Sequence, residues 1–448
     1  MDGVEAQLTA ERDRVAEYIY GARAARDFAD GFVAVLLPVY LAAIGLGALQ
    51  IGLVATLALL GSALMTLGIG LLGARLCQRG LLMAASALMV ATGLAFALSS
   101  TYAVVVLAAL LGTLNPSSGS VSIFVPIEHA VLALTTPAVE RTRMFARYGL
   151  IGAFAAAAGA LVTGSPDLLV AVGMPRLGAL RAMFVLYAAL GLLGGLLYAQ
   201  IPRRTLCHSL RGSQGHLQGH LQGHLQGHLQ GHLQGQPPRQ SPTAQAPAPI
   251  GESAAALGPS RAIVYKLATL FSLDAFAGGF LVQSLLALWL FNKFGLSLAA
   301  AGLFFFWSGV LAAFSYPIAA WLARRIGLVN TMAFTHLPSN IALVLAAAAP
   351  SLELALVLLL ARAALSQMDV PTRASYVMAV VTPRERPAAA GITSLSRGLA
   401  AAASPALAGA LFAAGLEAWP LVICGILKSV YDIALLCALR HIKPPEEQ

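Results

Sequence analysis

Long apolar stretches separated by short polar segments make up most of the chain. An α-helix needs about 20 apolar residues to cross the hydrocarbon core of a bilayer. On that measure the hydrophobic pattern predicts twelve membrane-spanning helices, numbered here as spans one to twelve. The predicted spans cover residues 28–46, 49–72, 80–98, 102–134, 145–163, 180–201, 262–290, 298–323, 328–349, 352–381, 388–415 and 419–439.

The composition agrees with this pattern and excludes a soluble globular protein. Of the 448 residues, 58% are hydrophobic and 10% are charged, whereas about 25% of the residues of a typical soluble domain are charged. The mean hydropathy is +0.78. We therefore predict an all-α polytopic membrane protein with twelve transmembrane helices.

A polar, low-complexity segment divides the spans into two sets of six. The words HLQG occur five times in succession from His216, before a stretch rich in Gln, Pro, Ala and Ser. A glycine in each repeat opposes a helix, which favours a flexible linker over a histidine-lined metal site. The predicted segments are a lead-in at 1–27, a six-helix bundle at 28–201, a linker at 202–261, a second bundle at 262–440 and a tail at 441–448.

The basic residues predict the orientation of the chain. The net charge is +9, but the arginines lie in short polar stretches between spans and form no continuous basic face that would bind nucleic acid. Most of them flank the spans on the side of the two termini, and cytoplasmic flanks retain Lys and Arg. We predict that both termini are cytoplasmic. The high Ala, Gly and Leu content suggests a bacterial inner membrane.

The two halves contain the same short sequence motifs at a nearly constant offset. FADGF at Phe28 returns as FAGGF at Phe276, and Arg75 after span two corresponds to Arg325 after span eight. Later matches are Val125-Pro126 with Val370-Pro371 and Glu140-Arg141 with Glu385-Arg386, at an offset of 245 residues. The sequence therefore predicts two structural repeats of six helices.

With twelve spans, a 6+6 repeat, a long central loop and a basic loop after spans two and eight, the chain resembles the major facilitator superfamily. The family signature after span two reads G-x-x-x-D-R-x-G-R-R. Here Gly70–Arg79 reads GLLGARLCQR and Ala320–Val329 reads AWLARRIGLV. Arg75 and Arg325 match the signature arginine and are gating-loop candidates, while Ala74 and Arg324 replace its aspartate. The resemblance implies a monomer that transports a small molecule by alternating access.

Span ten carries the most concentrated set of charges inside a predicted span. Arg362, Asp369 and Arg373 recur at i, i+7 and i+11, which places them within about 40° on one helical face. Tyr376 lies on the same stripe. At the repeat offset, Arg373 corresponds to Glu128 in span four, so we expect an acid and a base to face each other across the cavity. The alternative is a local ion pair between Asp369 and Arg373.

These residues supply the candidate site. Arg373 and Arg362, with Asn115 and Tyr376, are substrate-binding candidates because guanidinium groups bind anionic or zwitterionic solutes. Glu128, Asp369 and Asp30 are proton-coupling candidates because carboxyl groups inside a membrane are costly and usually functional.

Two further interpretations concern the other intramembrane charges. Asp27, Asp30 and Asp274 are interpreted as helix N-terminal caps, with Asp30 also open to a protonation role. Lys428 and Asp432 are expected to pair at i, i+4.

Span four is too long to be a single straight helix. Its 33 residues would extend about 50 Å at 1.5 Å per residue, and Pro116 and Pro126 interrupt it. Pro371 repeats Pro126 in span ten, so we predict a break near the cavity charge of each half.

Motifs of other protein classes are missing from the sequence. No GxxxxGK[ST], HExxH or GxSxG occurs, so we predict neither a pump nor an enzyme, and no metal or cofactor. The leading interpretation is a secondary transporter of an anionic or zwitterionic metabolite that uses a proton as the coupling ion. The alternatives are multidrug-type efflux of lipophilic compounds, metal transport, and a receptor that transports nothing.

Overall fold

The computed structural model of the chain describes residues 2–72, 76–117, 122–136, 140–202, 258–382 and 385–439. The gating candidate Arg75 and all HLQG repeats lie outside these residues. The described α-helices are α1 Asp2–Ala43, α2 Ala48–Leu72, α3 Gln78–Leu98, α4 Tyr102–Leu111, α5 Phe124–Thr135, α6 Arg141–Leu161, α7 Ser165–Ala171, α8 Arg176–Ala199, α9 Arg261–Gly279, α10 Gln283–Phe294, α11 Leu298–Ile326, α12 Leu328–Ala347, α13 Leu352–Ser366, α14 Asp369–Val380, α15 Arg386–Ala413 and α16 Trp419–Leu439.

These helices correspond to the twelve predicted spans. Nine helical segments among the described residues are long and apolar enough to cross a membrane, and they coincide with spans two, three, five to nine, eleven and twelve. Span one is the apolar second part of α1, while spans four and ten are each divided into two shorter helices. The fold class predicted from the sequence is confirmed.

Spans four and ten break at equivalent places. Span four consists of α4 and α5, and span ten consists of α13 and α14. The second helix begins at Phe124 in the first half and at Asp369 in the second, which are 245 residues apart, so Pro126 and Pro371 both fall in a first turn. A proline is tolerated there because the first-turn amide has no partner within the helix. The predicted breaks are confirmed.

The first helix differs from its prediction. Helix α1 runs without interruption from Asp2 to Ala43, so the boundary predicted at residue 28 is not the start of a helix. Asp27 and Asp30 therefore lie deep inside α1, and Asp274 lies well inside α9, a helix that begins at Arg261. The interpretation of these three aspartates as N-terminal caps is wrong, because both helices begin well before them.

Glycines allow the two halves to touch at the end of the bundle opposite the chain termini, called here the outer end. In span two, a Cβ on Gly52 would lie 2.5 Å from the carbonyl oxygen of Pro405 in span eleven. In span eight, Gly302 lies directly against the backbone of Ala160 in span five. Small residues permit this close helix packing where there is no water to drive association.

Two hydrogen bonds also join the halves. The amide of Ser284, at the start of α10, donates to the carbonyl of Pro116 in the break of span four at 3.1 Å. The amide of Ala406 donates to the Thr56 hydroxyl at 3.0 Å. Toward the opposite end, called the inner end, Gly68 in span two and Gly391 in span eleven have open space beside them. The halves are thus in direct contact at the outer end, whereas a Cβ at Gly68 or Gly391 would meet no heavy atom of the described chain within 4 Å.

At the inner end, Glu385 ties the end of the linker to the loop between spans ten and eleven. Its carboxylate accepts hydrogen bonds from the Gly258 amide and from the Thr382 hydroxyl, the latter at 2.6 Å. Hydrogen bonds from Ser260 and Thr382 hold the pKa of Glu385 below its usual value. Glu140, which occupies the equivalent place in the first half, is exposed.

Replacing Gly52 by valine should separate the halves at the outer end, because the added atoms would overlap the backbone of span eleven. The reporter is a disulfide between Thr56→Cys and Ala406→Cys in a chain whose native cysteines are replaced by serine. We expect the yield of this disulfide to fall several-fold when Gly52→Val is added. Gly68→Val is the matched control, since its site is open. Equal cross-linking in the two variants would contradict this packing.

Candidate functional site

A buried ion pair in the first half joins span one to span four. The two terminal nitrogens of Arg26 donate to the two carboxylate oxygens of Glu128, each at 3.0 Å. The hydroxyl groups of Tyr148 and Tyr198 also donate to this carboxylate. Glu128 has no exposed surface, so water does not reach its carboxylate. Arg26, Tyr148 and Tyr198, which bond to it, all belong to its own half. Bidentate arginine–carboxylate pairs of this kind are among the strongest hydrogen-bonded contacts in proteins.

A second pair extends this network toward the end of span one that bears the N-terminus. Arg23 Nε lies 2.6 Å from Asp27, and a terminal nitrogen of Arg23 donates to the Tyr148 hydroxyl at 3.1 Å. In span five, a Cβ on Gly152 would overlap the Arg23–Asp27 pair. The glycine therefore makes the room that these two charged side chains occupy.

The second half contains an ion pair at the equivalent positions. One terminal nitrogen of Arg373 donates to Asp274 at 2.9 Å, and the other lies 3.2 Å from Asp369. Lys428 from span twelve approaches the other oxygen of Asp274 at 2.5 Å. The guanidinium group of Arg373 also lies over the ring of Phe271. Both terminal nitrogens of Arg373 are therefore engaged within its own half.

The two ion pairs occupy matched positions with their charges reversed. Arg26 and Asp274 are 248 residues apart, which is the offset between the two FAxGF motifs. Glu128 and Arg373 are 245 residues apart, which is the offset of the later matches. Span one carries the base and span four the acid, whereas span seven carries the acid and span ten the base. We call these contacts the first-half pin and the second-half pin.

The prediction that Glu128 and Arg373 pair across the cavity is therefore wrong. Each residue is paired within its own half because Arg26 and Asp274, on spans one and seven, are nearer partners. The alternative ion pair between Asp369 and Arg373 is present. The repeat offsets alone could have revealed Arg26 and Asp274 as a matched pair of opposite charges.

The prediction that Lys428 pairs with Asp432 is also wrong. Lys428 turns to Asp274, while Asp432 bonds to His336 and Asn340 of span nine. The i, i+4 spacing allowed the contact, but span seven brings a carboxylate closer to the ammonium group. The sequence analysis had singled out neither His336 nor Asn340.

Asp30 is the buried carboxyl of span one that lies outside the first-half pin. It is 3% exposed, and no salt bridge reaches it from any residue that the structure describes. The side chain of Asn115 provides a hydrogen bond to Asp30, and one carboxyl oxygen of Asp30 has no partner within the described chain. The structure thus brings together two predicted site residues, Asp30 and Asn115.

Two arginines of the second half lie outside its pin. Arg362 in α13 and Arg397 in α15 are partly buried, and neither forms a salt bridge within the described ranges. The Nε atom of each is buried without a hydrogen-bond partner in the same part of the chain. Asp274 is the carboxylate that interacts electrostatically with both arginines, which lie on different spans.

Two candidates remain, Tyr376 and Arg325. Tyr376 has no exposed surface and belongs to an apolar cluster with Val264 and Leu435. Arg325 is exposed at the inner end of span eight, with its guanidinium group 4.4 Å from the centre of the Trp321 ring.

Comparison with known proteins identifies the family. Residues 19–246 and 267–448 match the Major Facilitator Superfamily. The chain belongs to the major facilitator superfamily. It is a multi-pass membrane protein and a secondary transporter, not an enzyme. This confirms the resemblance seen in the sequence.

The relatives and solved structures that the chain resembles agree on the architecture. The uncharacterized membrane protein YJR124C of Saccharomyces cerevisiae is 24% identical over 406 residues, which is 90% of this chain and 89% of that protein. A bacterial homolog of the human lysosomal transporter Spinster, inward-facing and unoccupied, matches with a TM-score of 0.66 at 16% identity, covering 97% of this chain and 99% of that one. The xylose transporter XylE from E. coli, inward open, gives 0.65 at 15% identity and 98% of both chains. At these identities the solved structures establish the fold alone.

Removing one member of the first-half pin should be strongly destabilising. Arg26→Met leaves the Glu128 carboxylate buried without its cation, and such changes cost about 3–5 kcal/mol. We expect a marked fall in the thermal unfolding midpoint of the detergent-purified protein. The double variant Arg26→Met, Glu128→Leu should recover much of the loss, because no unpaired charge remains. Arg325→Met, at an exposed arginine, is the control, and equal losses in all three variants would contradict a pin.

Proposed function

We propose that the chain is a proton-coupled transporter of an anionic or zwitterionic metabolite, with Arg362 and Arg397 attracting the substrate and Asp30 binding the proton. The observation that carries the proposal is the distribution of charges between the two pins and the groups outside them. Glu128 is paired with Arg26, and Asp274 and Asp369 are paired with Arg373. Asp30, Arg362 and Arg397 make no salt bridge within the described residues.

The spare guanidinium groups support an anionic substrate. A cation inside a membrane costs a few kcal/mol and usually lines a wet cavity or meets a partner. Arg362 and Arg397 keep part of their surface exposed, so an arriving carboxylate or phosphate group could supply the missing partner. Arg373 is held by two carboxylates and is better suited to fixing the electrostatic field of the site than to binding substrate first.

Asp30 is the strongest of the three proton-coupling candidates. A buried carboxylate is stable only when it is paired or hydrogen-bonded, and Asp30 has Asn115 beside it but forms no salt bridge within the described residues, with Arg26 and Arg23 acting on it from a distance. Glu128 is held by Arg26 and two tyrosines, and Asp369 lies beside Arg373. Gaining or losing a proton at Asp30 therefore breaks fewer contacts than at the other two carboxyls.

The packing of the halves supports alternating access. The halves touch through glycines at the outer end and leave open space beside Gly68 and Gly391 toward the inner end. With both termini in the cytoplasm, as the basic residues favour, this arrangement opens to the cytoplasm. We propose a monomer in a bacterial inner membrane, where rocking of the two halves exposes the site to either side in turn.

A stability screen tests the substrate class. We expect a carboxylate, phosphate ester or amino acid to raise the unfolding midpoint of the purified protein, because a ligand stabilises the state that binds it. Arg397→Gln and Arg362→Gln should each weaken that ligand about 10–100-fold, as expected for losing a charge-assisted hydrogen bond.

Arg261→Gln, at an exposed arginine on the same half, is the control and should bind normally. Stabilisation only by lipophilic cations, unchanged in both variants, would contradict the proposal and favour multidrug-type efflux. Stabilisation only by divalent metals would favour metal transport, and binding without flux into proteoliposomes would favour a receptor.

Asp30→Asn tests the coupling. An amide cannot gain a proton at this position, so we expect the variant to lose accumulation of the identified anion driven by a pH gradient in proteoliposomes. Exchange of labelled for unlabelled anion should continue, because the guanidinium groups remain. Asp167→Asn, at an exposed aspartate near the outer end, should behave like the unaltered protein. Gradient-driven accumulation by Asp30→Asn would rule out this role.

A further inference from the structure

Another buried acid–base pair lies between spans nine and twelve, outside both pins. His336 Nδ1 is 3.0 Å from one carboxylate oxygen of Asp432, and the Asn340 amide donates to the other at 2.8 Å. His336 is 2% exposed and Asp432 has no exposed surface. The substrate and proton sites described above use none of these three residues.

The geometry of this pair allows one proton to bind without disturbing the contact. A proton must lie between Nδ1 and the carboxylate oxygen, because two bare acceptors do not approach to 3.0 Å. The second ring nitrogen, Nε2, can then gain or lose a proton while that hydrogen bond persists. With Nε2 protonated the pair is neutral overall, and without that proton the pair carries one negative charge.

Asp432 lies one helical turn from Lys428, which bonds to Asp274 of the second-half pin. A negative charge on the pair attracts the Lys428 ammonium group away from Asp274, and a neutral pair leaves it in place. Asn340 Oδ1 is buried with no hydrogen-bond partner among the described residues, so it is an unused acceptor beside Asp432.

The other charged or titratable groups around the pair come from each neighbouring span. The Asp274 carboxylate of span seven interacts electrostatically with both His336 and Lys428. The ring of Tyr431 packs edge to face against the His336 ring. In span ten, the backbone carbonyl of Arg362 accepts a hydrogen bond from the Ser339 hydroxyl of span nine at 3.4 Å. Among the described residues, the charged or titratable neighbours of the pair are Lys428 and Tyr431 from span twelve and Asp274 from span seven. Arg397 of span eleven interacts with Asp274 and Tyr431, and Arg362 of span ten reaches Ser339 through its backbone carbonyl.

We propose that His336 and Asp432 form a second proton-binding site, which takes its proton at His336 Nε2 and controls how firmly Lys428 holds the second-half pin. The ligand is the proton itself. The site lies in the opposite half from Asp30 and does not depend on the role assigned to that residue.

The test follows the imidazole nitrogens of His336 by NMR. Full-length protein labelled with 15N-histidine is placed in lipid nanodiscs, and the His336 signals are identified by their loss in His336→Gln. The pH of the sample is varied between about 5 and about 9, and we expect Nε2 to gain a proton as the pH falls while the Nδ1 hydrogen bond persists. In Asp432→Asn the midpoint should fall by at least about one pH unit, because the neighbouring negative charge is gone.

Lys428→Gln provides an independent variant if Asp432→Asn does not fold. Removing a neighbouring positive charge should raise the His336 midpoint, whereas Lys293→Gln, which removes a lysine bonded to the carbonyl of Ala347, should leave it unchanged. A His336 that keeps one protonation state throughout the range would overturn the proposal. A midpoint that is the same in Lys428→Gln as in the unaltered protein would also overturn it.

Discussion

A buried ion pair in each half is the interaction around which the rest of the molecule is arranged. Charges in a membrane are stable only with a partner, and the Arg26–Glu128 and Asp274–Arg373 contacts supply one within each six-helix unit. Each pin joins the first span of its half to the second helix of a broken span. Because spans four and ten are broken, backbone hydrogen bonds do not run continuously into their second helices, α5 and α14. The pins instead hold these two short helices in place.

Pins confined to one half leave the halves free to move against each other. A cross-cavity pair between Glu128 and Arg373 would have to break in every transport cycle, at the cost of exposing two buried charges. Among the described residues, glycine-mediated backbone packing, the Phe154–Phe314 ring contact and hydrogen bonds join the halves, and every salt bridge lies within one half. Such contacts can separate without leaving a charge unpaired, which suits rocking of rigid halves.

The reversal of charge between the two pins distinguishes the electrostatics of the halves. Within the described residues, the first half has a carboxyl without a salt bridge, Asp30, and the second half has two such guanidinium groups, on Arg362 and Arg397. At the position equivalent to Asp30 the second half has Gly278, and a Cβ there would lie 3.8 Å from the Lys428 ammonium group. An acidic group in one half is thus replaced by a basic group in the other.

The sequence by itself determined the number of spans, the two-fold repeat, the breaks in spans four and ten, and the residues that carry intramembrane charge. These properties follow from hydrophobic length, proline position and repeat offset, all of which are local along the chain. Only the tertiary structure decided which charges pair. Lys428 had Asp432 one turn away yet bonds to Asp274, and Glu128 bonds to Arg26, because electrostatic partners are chosen by distance in space. The crossing of spans one with four and seven with ten and twelve sets those distances, and no spacing along a single helix contains them.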